Sequence, residues 1–418
     1  MSGTTWVVIL AGGVGSRFWP MSTPRRPKQL LPLLSDQPML RDTLDRLAPI
    51  APMHQTLVLT NAELADAVRA LLPDLPPENV IAEPRPAGTA AALAWAAHEI
   101  ARRGSPDDVM LSVHADWAIG DVAGFQRALT EAGTAARQEH ALVTVGIVPL
   151  RPDPGLGYIE PGDVVSEPLR RVRRFVEKPS VERATTLIAA GGLWNSGIFA
   201  WRAGDLLGEV RALCPEVSVA LDAHADDLGA FFAAVTPIAI DTGVLERSGR
   251  VMVLPGAFGW SDVGTWAALR DVRPRDAEGN AVGGTAFLKE AHANVVHAEG
   301  QTVVLYGVDD LVVVAQDGLT LVTTVDRARQ LKPLLDALPP SIREQLLKPP
   351  ADSSATTMPA RGRCNRSRSR ARHLSFGPAR SSYASGGRTS RAGRARDSCR
   401  PPISAPSRRA MPRPSRPG

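Results

Sequence analysis

Residues 6–34 read WVVILAGGVGSRFWPMSTPRRPKQLLPLL and decide the fold of the N-terminal part of the chain. The run Trp6–Leu10 is apolar and rich in β-branched residues, which predicts a buried strand. The Gly-Gly-Val-Gly segment at 12–15 follows, and glycines let backbone N–H groups lie close to an anion. Arg17 and Lys28 then supply two positive charges. A glycine loop with two cations directly after a first strand predicts a triphosphate-binding site.

Two common nucleotide-binding loops are excluded by this stretch. The Walker A pattern G-x-x-x-x-G-K-[ST] is missing, and so is the second half of the dinucleotide fingerprint G-x-G-x-x-G. Prolines at 20, 24 and 27 also prevent an immediate helix. The pattern G-G-x-G-x-R-x-W-P followed by P-K-Q instead resembles the signature of the sugar-1-phosphate nucleotidyltransferases, within them the mannose-1-phosphate guanylyltransferase branch. The alternative for this stretch is a glycine turn flanked by surface cations.

Composition predicts a globular protein of two domains or more. The chain has 418 residues, of which 44% are hydrophobic and 22% charged. A membrane span is not expected, because no apolar run reaches about 18 residues. The N-terminus lacks a signal-peptide pattern, and the three cysteines form neither a disulfide framework nor a zinc spacing. We therefore expect a cytoplasmic protein.

The net charge of +5 is produced by the C-terminal tail. Residues 349–418 contain 16 Arg, no Lys and two acids, so they carry +14 and the other 348 residues carry −9. The tail is rich in Arg, Ser and Pro without periodicity, which predicts disorder. Its functional interpretation is non-specific nucleic-acid binding, and the alternative is a non-native extension. An RNA-binding protein would need a basic folded part, whereas this folded part is acidic.

Alternating strand and helix patterns predict an α/β domain over residues 1–280. Strands at 56–60, 80–82 and 109–113 alternate with helices at 62–72 and 88–104, as in a Rossmann-like, mixed but mostly parallel sheet with helices on both faces. Further helices are predicted at Met39–Leu47, 123–139 and 181–190. From residue 281 to 340 short β-rich runs predict a small second domain, closed by a helix from Asp326 to about Leu338. Its resemblance to the family implies a left-handed β-helix-like fold.

Nucleotide contacts are implied by two segments. Glu83 ends a short strand, and its carboxylate can accept from both N1–H and the exocyclic amine of guanine. Thr89 begins a helix whose free N–H groups face a ligand. The segment resembles the family's E-P-x-x-x-N-T-A, with glycine in place of Asn. The resemblance implies that these nucleotide-binding residues are Ala11, Gly12, Gly13, Gly15, Glu83, Gly88 and Thr89. Solvation of a loop acid is the alternative for Glu83.

Two aspartates are implied as Mg²⁺ ligands. Asp116 follows the strand 109–113 at its carboxyl end, where open α/β sheets bind ligands. Its surroundings resemble the family's P-A-D-H, with His114 and Trp117 as departures. Asp262 lies in G-W-S-D-V-G-x-W, before a predicted helix that runs to about Leu269. The alternatives are a loop-capping role for Asp116 and an N-cap role for Asp262.

Later motifs imply a site for the sugar phosphate. They are G-Y-I, F-x-E-K-P, W-N-S-G and I-D-T-G-x-x-E, the last with Thr242 and Gly243 where the family has Tyr and Ala. The amide of the W-N-S-G asparagine offers both a donor and an acceptor to a hydroxyl. A local turn bond is the alternative for that side chain. The implied residues are Gly157, Glu177, Lys178, Asn195 and Asp241.

The resemblance, which covers residues 6 to about 338 with its motifs in the family's order, implies an enzyme. The implied reaction transfers GMP from GTP to α-D-mannose 1-phosphate, giving GDP-mannose and pyrophosphate, with Arg17 and Lys28 as catalytic residues and Mg²⁺ as cofactor. A homo-oligomer, a dimer, is expected. The alternatives are a nucleotidyltransferase for another sugar 1-phosphate or nucleotide, and a non-catalytic sugar-nucleotide sensor on the same fold.

Overall fold

The computed structural model describes residues 3–13, 16–316, 318–339 and 342. All of them fall within one compact unit, Met1–Ala355. Two predictions, the nucleotide contact of Gly15 and the disorder of the tail 349–418, lie outside the described residues. The predicted domain limits at 280 and 340 stay predictions.

A mixed sheet forms the centre of the molecule. Its strands in the described part of the chain are β1 Thr5–Leu10, β2 Thr56–Asn61, β3 Val80–Glu83, β4 Val109–His114, β6 Leu142–Ile147, β7 Tyr158–Ser166, β8 Leu169–Val176, β9 Leu193–Arg202 and β10 Val251–Gly256. Their spatial order is β3-β2-β1-β4-β9-β6-β10-β8-β7. Only β8 and β9 run against the other strands of this described sheet. The predicted mixed, mostly parallel sheet is therefore confirmed.

Helices cover both faces of this sheet. Within the described residues they are α1 Met39–Leu47, α2 Ala65–Leu71, α3 Gly88–Arg103, α4 Val122–Glu139, α5 Val181–Ala189, α6 Ala203–Leu213, α7 Pro215–Ala223, α8 Leu228–Ala234, α9 Leu269–Val272 and α10 Lys332–Ala337. Alternate residues of β1 show the two faces. Val7 and Ile9 pack with α1, α2 and α4, whereas Trp6 and Val8 pack with α3, α6, α7 and α8. None of these described helices is both long and apolar enough to cross a membrane.

Two predicted helices are wrong in their extent. The segment after Asp262 does not begin a helix, because Thr265 is extended and the helical turns start only at Trp266. Before it, β11 (Trp260–Ser261) pairs with β5 (Ala118–Ile119) in a short antiparallel ribbon. The helix predicted from Asp326 is divided into a 3-10 turn and α10. Pro333 explains the second start, since proline is accommodated only in the first turn of a helix.

The C-terminal part forms a second sheet. Its strands within the described residues are β12 Ala281–Lys289, β13 Val295–Tyr306, β14 Leu311–Gln316 and β15 Leu319–Thr324. β12, β13 and β14 are stacked in parallel, as in successive turns of a β-helix, and β15 is antiparallel. Val312 and Val314 of β14 pack in one cluster with Phe18 and Met21. The second sheet therefore packs against the segment that follows the glycine loop.

We expect Asp108→Ala to lower the free energy of unfolding in denaturant by about 2–3 kcal/mol. Asp108 is 4% exposed and accepts hydrogen bonds from the Thr4 N–H at 2.7 Å and the indole N–H of Trp6 at 3.1 Å. These two donors, and the Ser105 N–H that donates to the same carboxylate at 3.1 Å, lose their partner in the variant. Asp107→Ala is the matched control, since within the described residues that exposed carboxylate makes only a surface ion pair, with Arg202. Equal destabilisation by the two variants would contradict the assignment.

Candidate functional site

The candidate site lies along the sheet edge where the parallel strands end. β1 ends at Leu10, β3 at Glu83 and β4 at His114, and the loop after β10 leads to Asp262. In open α/β sheets this edge is the usual position of a ligand. Predicted site residues that lie far apart in the sequence are therefore gathered along one edge.

Lys28 forms the centre of a charged cluster. Its side chain is 7% exposed, and its Nζ donates to Asp116 Oδ2 at 3.0 Å and to the backbone oxygen of Asp262 at 2.6 Å. The ammonium also lies 5.7 Å from the centre of the Phe18 ring. A buried cation is costly unless it is paired, so this position depends on the Asp116 carboxylate and on the backbone oxygen of Asp262.

The short β5–β11 ribbon brings the two aspartates together. Ser261 pairs with Ala118, so Asp262 and Asp116 flank the same ribbon. The carboxylate of Asp262 makes no hydrogen bond or ion pair within the described residues. Burial raises the pKa of Asp262 above its usual range, and the charges of Lys28 and Arg17 oppose this rise. A further cation would stabilise the ionised carboxylate.

Arg17 lies beside this cluster, and Gly264 makes the approach possible. A Cβ atom at Gly264 would lie 2.9 Å from Asp262 Oδ2 and 3.3 Å from Arg17 Nη1. The guanidinium group is on an exposed residue. The two predicted catalytic cations and the two predicted metal ligands therefore lie in one cluster.

Gln29 fixes the position of the glycine loop through two hydrogen bonds. Its Nε2 donates to the backbone oxygens of Ala11 at 2.7 Å and Gly13 at 3.1 Å, and the side chain is nearly fully buried. A Cβ atom at Gly12 or Gly13 would meet no described atom within 4 Å. Neither glycine has a positive φ. The loop thus presents open backbone, and its glycines leave room for a ligand rather than permit a left-handed turn.

Glu83 and the N-terminus of α3 form the next part of the site. The carboxylate of Glu83 has no hydrogen bond or ion pair within the described part of the chain, and burial raises its pKa to about 7. Gly88 has φ +81°, and a Cβ atom there would lie 2.2 Å from the backbone oxygen of Ile238. The hydroxyl of Thr89 accepts from the Ile240 N–H at 2.9 Å. Gly88 is therefore required by backbone packing, and a nucleotide contact for it stays a prediction.

The predicted sugar-phosphate residues form a group of their own. Asn195 donates from Nδ2 to Asp241 Oδ1 and from its backbone N–H to the oxygen of Gly157, both at 2.8 Å. A Cβ atom at Gly157 would lie 2.8 Å from Glu177 Oε2. Glu177 pairs with Lys178 at 2.7 Å, and both side chains are exposed. The structure thus brings all five residues together.

His114 links the charged cluster to this group. A Cβ atom at Gly197 would lie 3.3 Å from His114 Nε2, and the rings of His114 and Trp117 have centroids 5.0 Å apart. Burial lowers the pKa of His114, while Asp116 and Asp241 act to raise it. The two departures from the family's P-A-D-H, His114 and Trp117, thus pack against each other, and Trp117 is buried in the core beside Trp260.

Two further residues of the site have no role in the sequence-based predictions. Gln29 supports the glycine loop, and the sequence feature that could have indicated this residue is the P-K-Q pattern, in which it stands third. Arg151 lies 5.7 Å above the Trp194 ring and pairs with Asp153 at 3.0 Å. The sequence feature that could have indicated Arg151 is its position in the loop between β6 and Gly157.

The carboxylates fit a magnesium ion held jointly with a ligand. Among the described residues no group of three or more His, Cys, Asp or Glu side chains could hold a metal by itself. Mg²⁺ is commonly bound through one or two carboxylates together with substrate phosphates. Asp116 and the unpaired Asp262 are such a donor set.

Comparison with known proteins gives consistent matches. The family model for nucleotidyl transferases matches residues 6–279. The chain is 36% identical over 349 residues to mannose-1-phosphate guanylyltransferase of Escherichia coli, covering 79% of this chain and 73% of that protein. The protein of the same name from Klebsiella pneumoniae is 35% identical over 81% of this chain and 74% of its own. A solved structure from Thermus thermophilus, described as mannose-1-phosphate geranyltransferase, is 32% identical to this chain with a TM-score of 0.74. The match covers 80% of this chain and 99% of that one.

We expect Glu83→Gln to stabilise the protein at pH 8 and much less at pH 4.5. Folding raises the pKa of Glu83 from 4.5 to about 7, so the wild-type stability falls as the pH rises between these values. The amide variant escapes this loss, which we expect to be about 1–2 kcal/mol for a partly exposed group. Denaturant unfolding at both pH values measures it, with the exposed Glu63→Gln as control. A gain that does not depend on pH would contradict the assignment.

Proposed function

Because this chain belongs to the nucleotidyl transferase family, we propose that it transfers GMP from GTP to α-D-mannose 1-phosphate. One observation carries the proposal. In the strand order β3-β2-β1-β4-β9, Asp116 follows β4 and so lies between Glu83 at the end of β3 and Asn195 on β9. Lys28 contacts Asp116 and the backbone of Asp262, so the residues proposed for the phosphates lie between those proposed for the base and for the sugar. The relatives from E. coli and K. pneumoniae bear the name of this activity.

Glu83 supports guanine as the base. A carboxylate can accept from N1–H and from the exocyclic amine of guanine together, whereas uracil or thymine offers one donor at that edge. The side chain is largely buried and has no partner among the described residues, so two donors from a base would remove the cost of its burial.

The chemistry needs alignment and charge neutralisation more than a covalent nucleophile. An oxygen of the sugar phosphate attacks the α-phosphorus of GTP, and the bond to the β-phosphate breaks so that pyrophosphate leaves with the electron pair. Both reactants are anions, so their repulsion and the cost of alignment make up the barrier. We assign Lys28 to the α-phosphate, and Arg17 with the N–H groups of the glycine loop to the β- and γ-phosphates.

Asp116 and Asp262 are the residues that would hold Mg²⁺. When bound, this ion supplies positive charge that stabilises the triphosphate and the leaving group. The protein's own contribution is the ribbon that fixes the two carboxylates, together with Lys28, which keeps Asp116 oriented at 3.0 Å. On the sugar side, the pair Asn195–Asp241 offers a donor and acceptors to hydroxyl groups.

Assembly and location are part of the same proposal. Phe287 pairs in register with Val304 on the outer face of the second sheet, and both side chains are more than half exposed, as is Tyr306. An exposed apolar face of this kind supports a homodimer formed through the second sheet.

We assign the protein to the cytoplasm, where GTP is available. For the tail, residues 349–418, the open functional interpretation is non-specific nucleic-acid binding.

Pyrophosphate release by the purified protein tests the function. With Mg²⁺ present, four nucleoside triphosphates are combined with mannose, glucose and N-acetylglucosamine 1-phosphates. We expect the highest kcat/KM with GTP and mannose 1-phosphate, and we expect Glu83→Gln to reduce the preference for GTP over ATP. A maximum with another pair would contradict the assigned specificity. Binding of GTP or GDP-mannose without any turnover would favour a sensor.

A further inference from the structure

The chain directly before Lys28 contacts the second sheet at two points, Pro20 and Arg26. Arg26 forms a two-fold ion pair with Glu299 of β13, from Nη1 to Oε2 at 3.0 Å and from Nη2 to Oε1 at 3.1 Å. Earlier in the same stretch, the backbone oxygen of Pro20 accepts a hydrogen bond from Nε2 of Gln316 of β14 at 3.3 Å. These contacts span more than 270 residues of sequence, so they join separate parts of the fold.

The ion pair transmits its constraint to Lys28 through a short, stiff path. Thr23 and Arg26 close a turn with two backbone hydrogen bonds of 3.1 Å. Pro27 follows with φ −70° and fixes the direction of the chain into Lys28. Fixing the guanidinium of Arg26 therefore restricts the backbone two residues before the ammonium that contacts Asp116.

A buried framework lies next to Glu299. His297 on the same strand is 4% exposed and lies with Nε2 3.9 Å from Glu299 Oε1. Its Nδ1 contacts Arg273 Nη2 at 2.7 Å, and Arg273 donates from Nε to the oxygen of Leu33 at 2.6 Å. The second sheet thus contacts the chain directly at Arg26, before the P-K-Q pattern, and indirectly through Arg273 at Leu33, after it.

We propose that Glu299 and Gln316 are positioning residues for Lys28, so that the second sheet is a structural part of the active site. The inference rests on the proposed function for its catalytic consequence, because Lys28 acts on the α-phosphate there. The second sheet is then required for turnover by the subunit that contains it, independently of any role in assembly.

The Glu299→Gln variant tests the proposal against Asp310→Asn. Glutamine keeps the shape of the side chain, but it is uncharged and its NH₂ group faces one Arg26 N–H group. Two donors then face each other, so one of the two hydrogen bonds is lost. Asp310 is a matched control, since it also joins the two parts of the fold, through an ion pair with Arg270 at 2.9 Å, without touching the Lys28 segment. Partly exposed ion pairs contribute little to stability, so both variants are expected to fold, and thermal unfolding checks this.

We expect Glu299→Gln to lower kcat about ten-fold with KM for GTP changed less than about two-fold, because misplaced catalytic groups slow the reaction more than they weaken binding. The double variant with Arg26→Gln should lose no more than the single one, since both remove the same contact. Asp310→Asn should leave kcat unchanged. An unchanged kcat in Glu299→Gln, or an equal loss in Asp310→Asn, overturns the proposal.

Hydrogen exchange of the backbone amides in residues 16–31 gives a readout that needs no turnover. We expect faster exchange in Glu299→Gln than in wild type and Asp310→Asn. Equal exchange in all three proteins overturns the positioning role. Absence of turnover in the wild type with GTP and mannose 1-phosphate would instead contradict the proposed function. The hydrogen-exchange comparison would still test whether Glu299 positions the segment of Lys28.

Discussion

The contact between the buried ammonium of Lys28 and the two aspartates is the interaction on which the site depends. Lys28 donates to Asp116 Oδ2 and to the backbone of Asp262, and these two residues lie far apart in the sequence. Removing the ammonium would leave Asp116 without its partner. Removing the carboxylate of Asp116 would leave the buried ammonium with the backbone oxygen of Asp262 but without the negative charge that pairs with it, which is a large cost in a protein interior. The three residues therefore define one another's positions.

The surroundings of Lys28 are built to keep this arrangement fixed. Gln29 holds the glycine loop through Ala11 and Gly13, and the β5–β11 ribbon holds the two aspartates. The second sheet contacts the same segment through Glu299. Preorganisation of this kind is effective in phosphoryl transfer, since charges that are already in place need no rearrangement when the reaction occurs.

Local sequence patterns predicted much of the fold, because strand and helix periods are local properties. β1, α1 and α3 follow directly from their apolar spacing and from glycine or proline at their ends. The helix predicted after Asp262 is wrong in its start, because Asp262 directly follows the β5–β11 ribbon, Val263 has φ +45° and Thr265 is extended. The ribbon is a contact between distant segments. Short helices such as α8 carry too few residues for a clear period.

The candidate site was predictable as a set of residues but not as an arrangement. The resemblance to a family named Lys28, Asp116, Asp262 and Asn195, and the structure shows which of them touch. It could not show that Lys28 is buried between two aspartates, or that Gly88 is required by the backbone of Ile238. Such facts depend on contacts across the sheet, which leave no local pattern in the chain.

The role of Lys28 is tested most directly by measuring rate and affinity separately in Lys28→Met. The account predicts a fall of about a hundred-fold or more in the single-turnover rate of pyrophosphate release, while the Kd of GTP by calorimetry changes less than about ten-fold. Arg25→Met, which removes an exposed cation from the same segment, should change neither quantity. An undiminished rate in Lys28→Met, or equal losses of rate and affinity, would contradict the account.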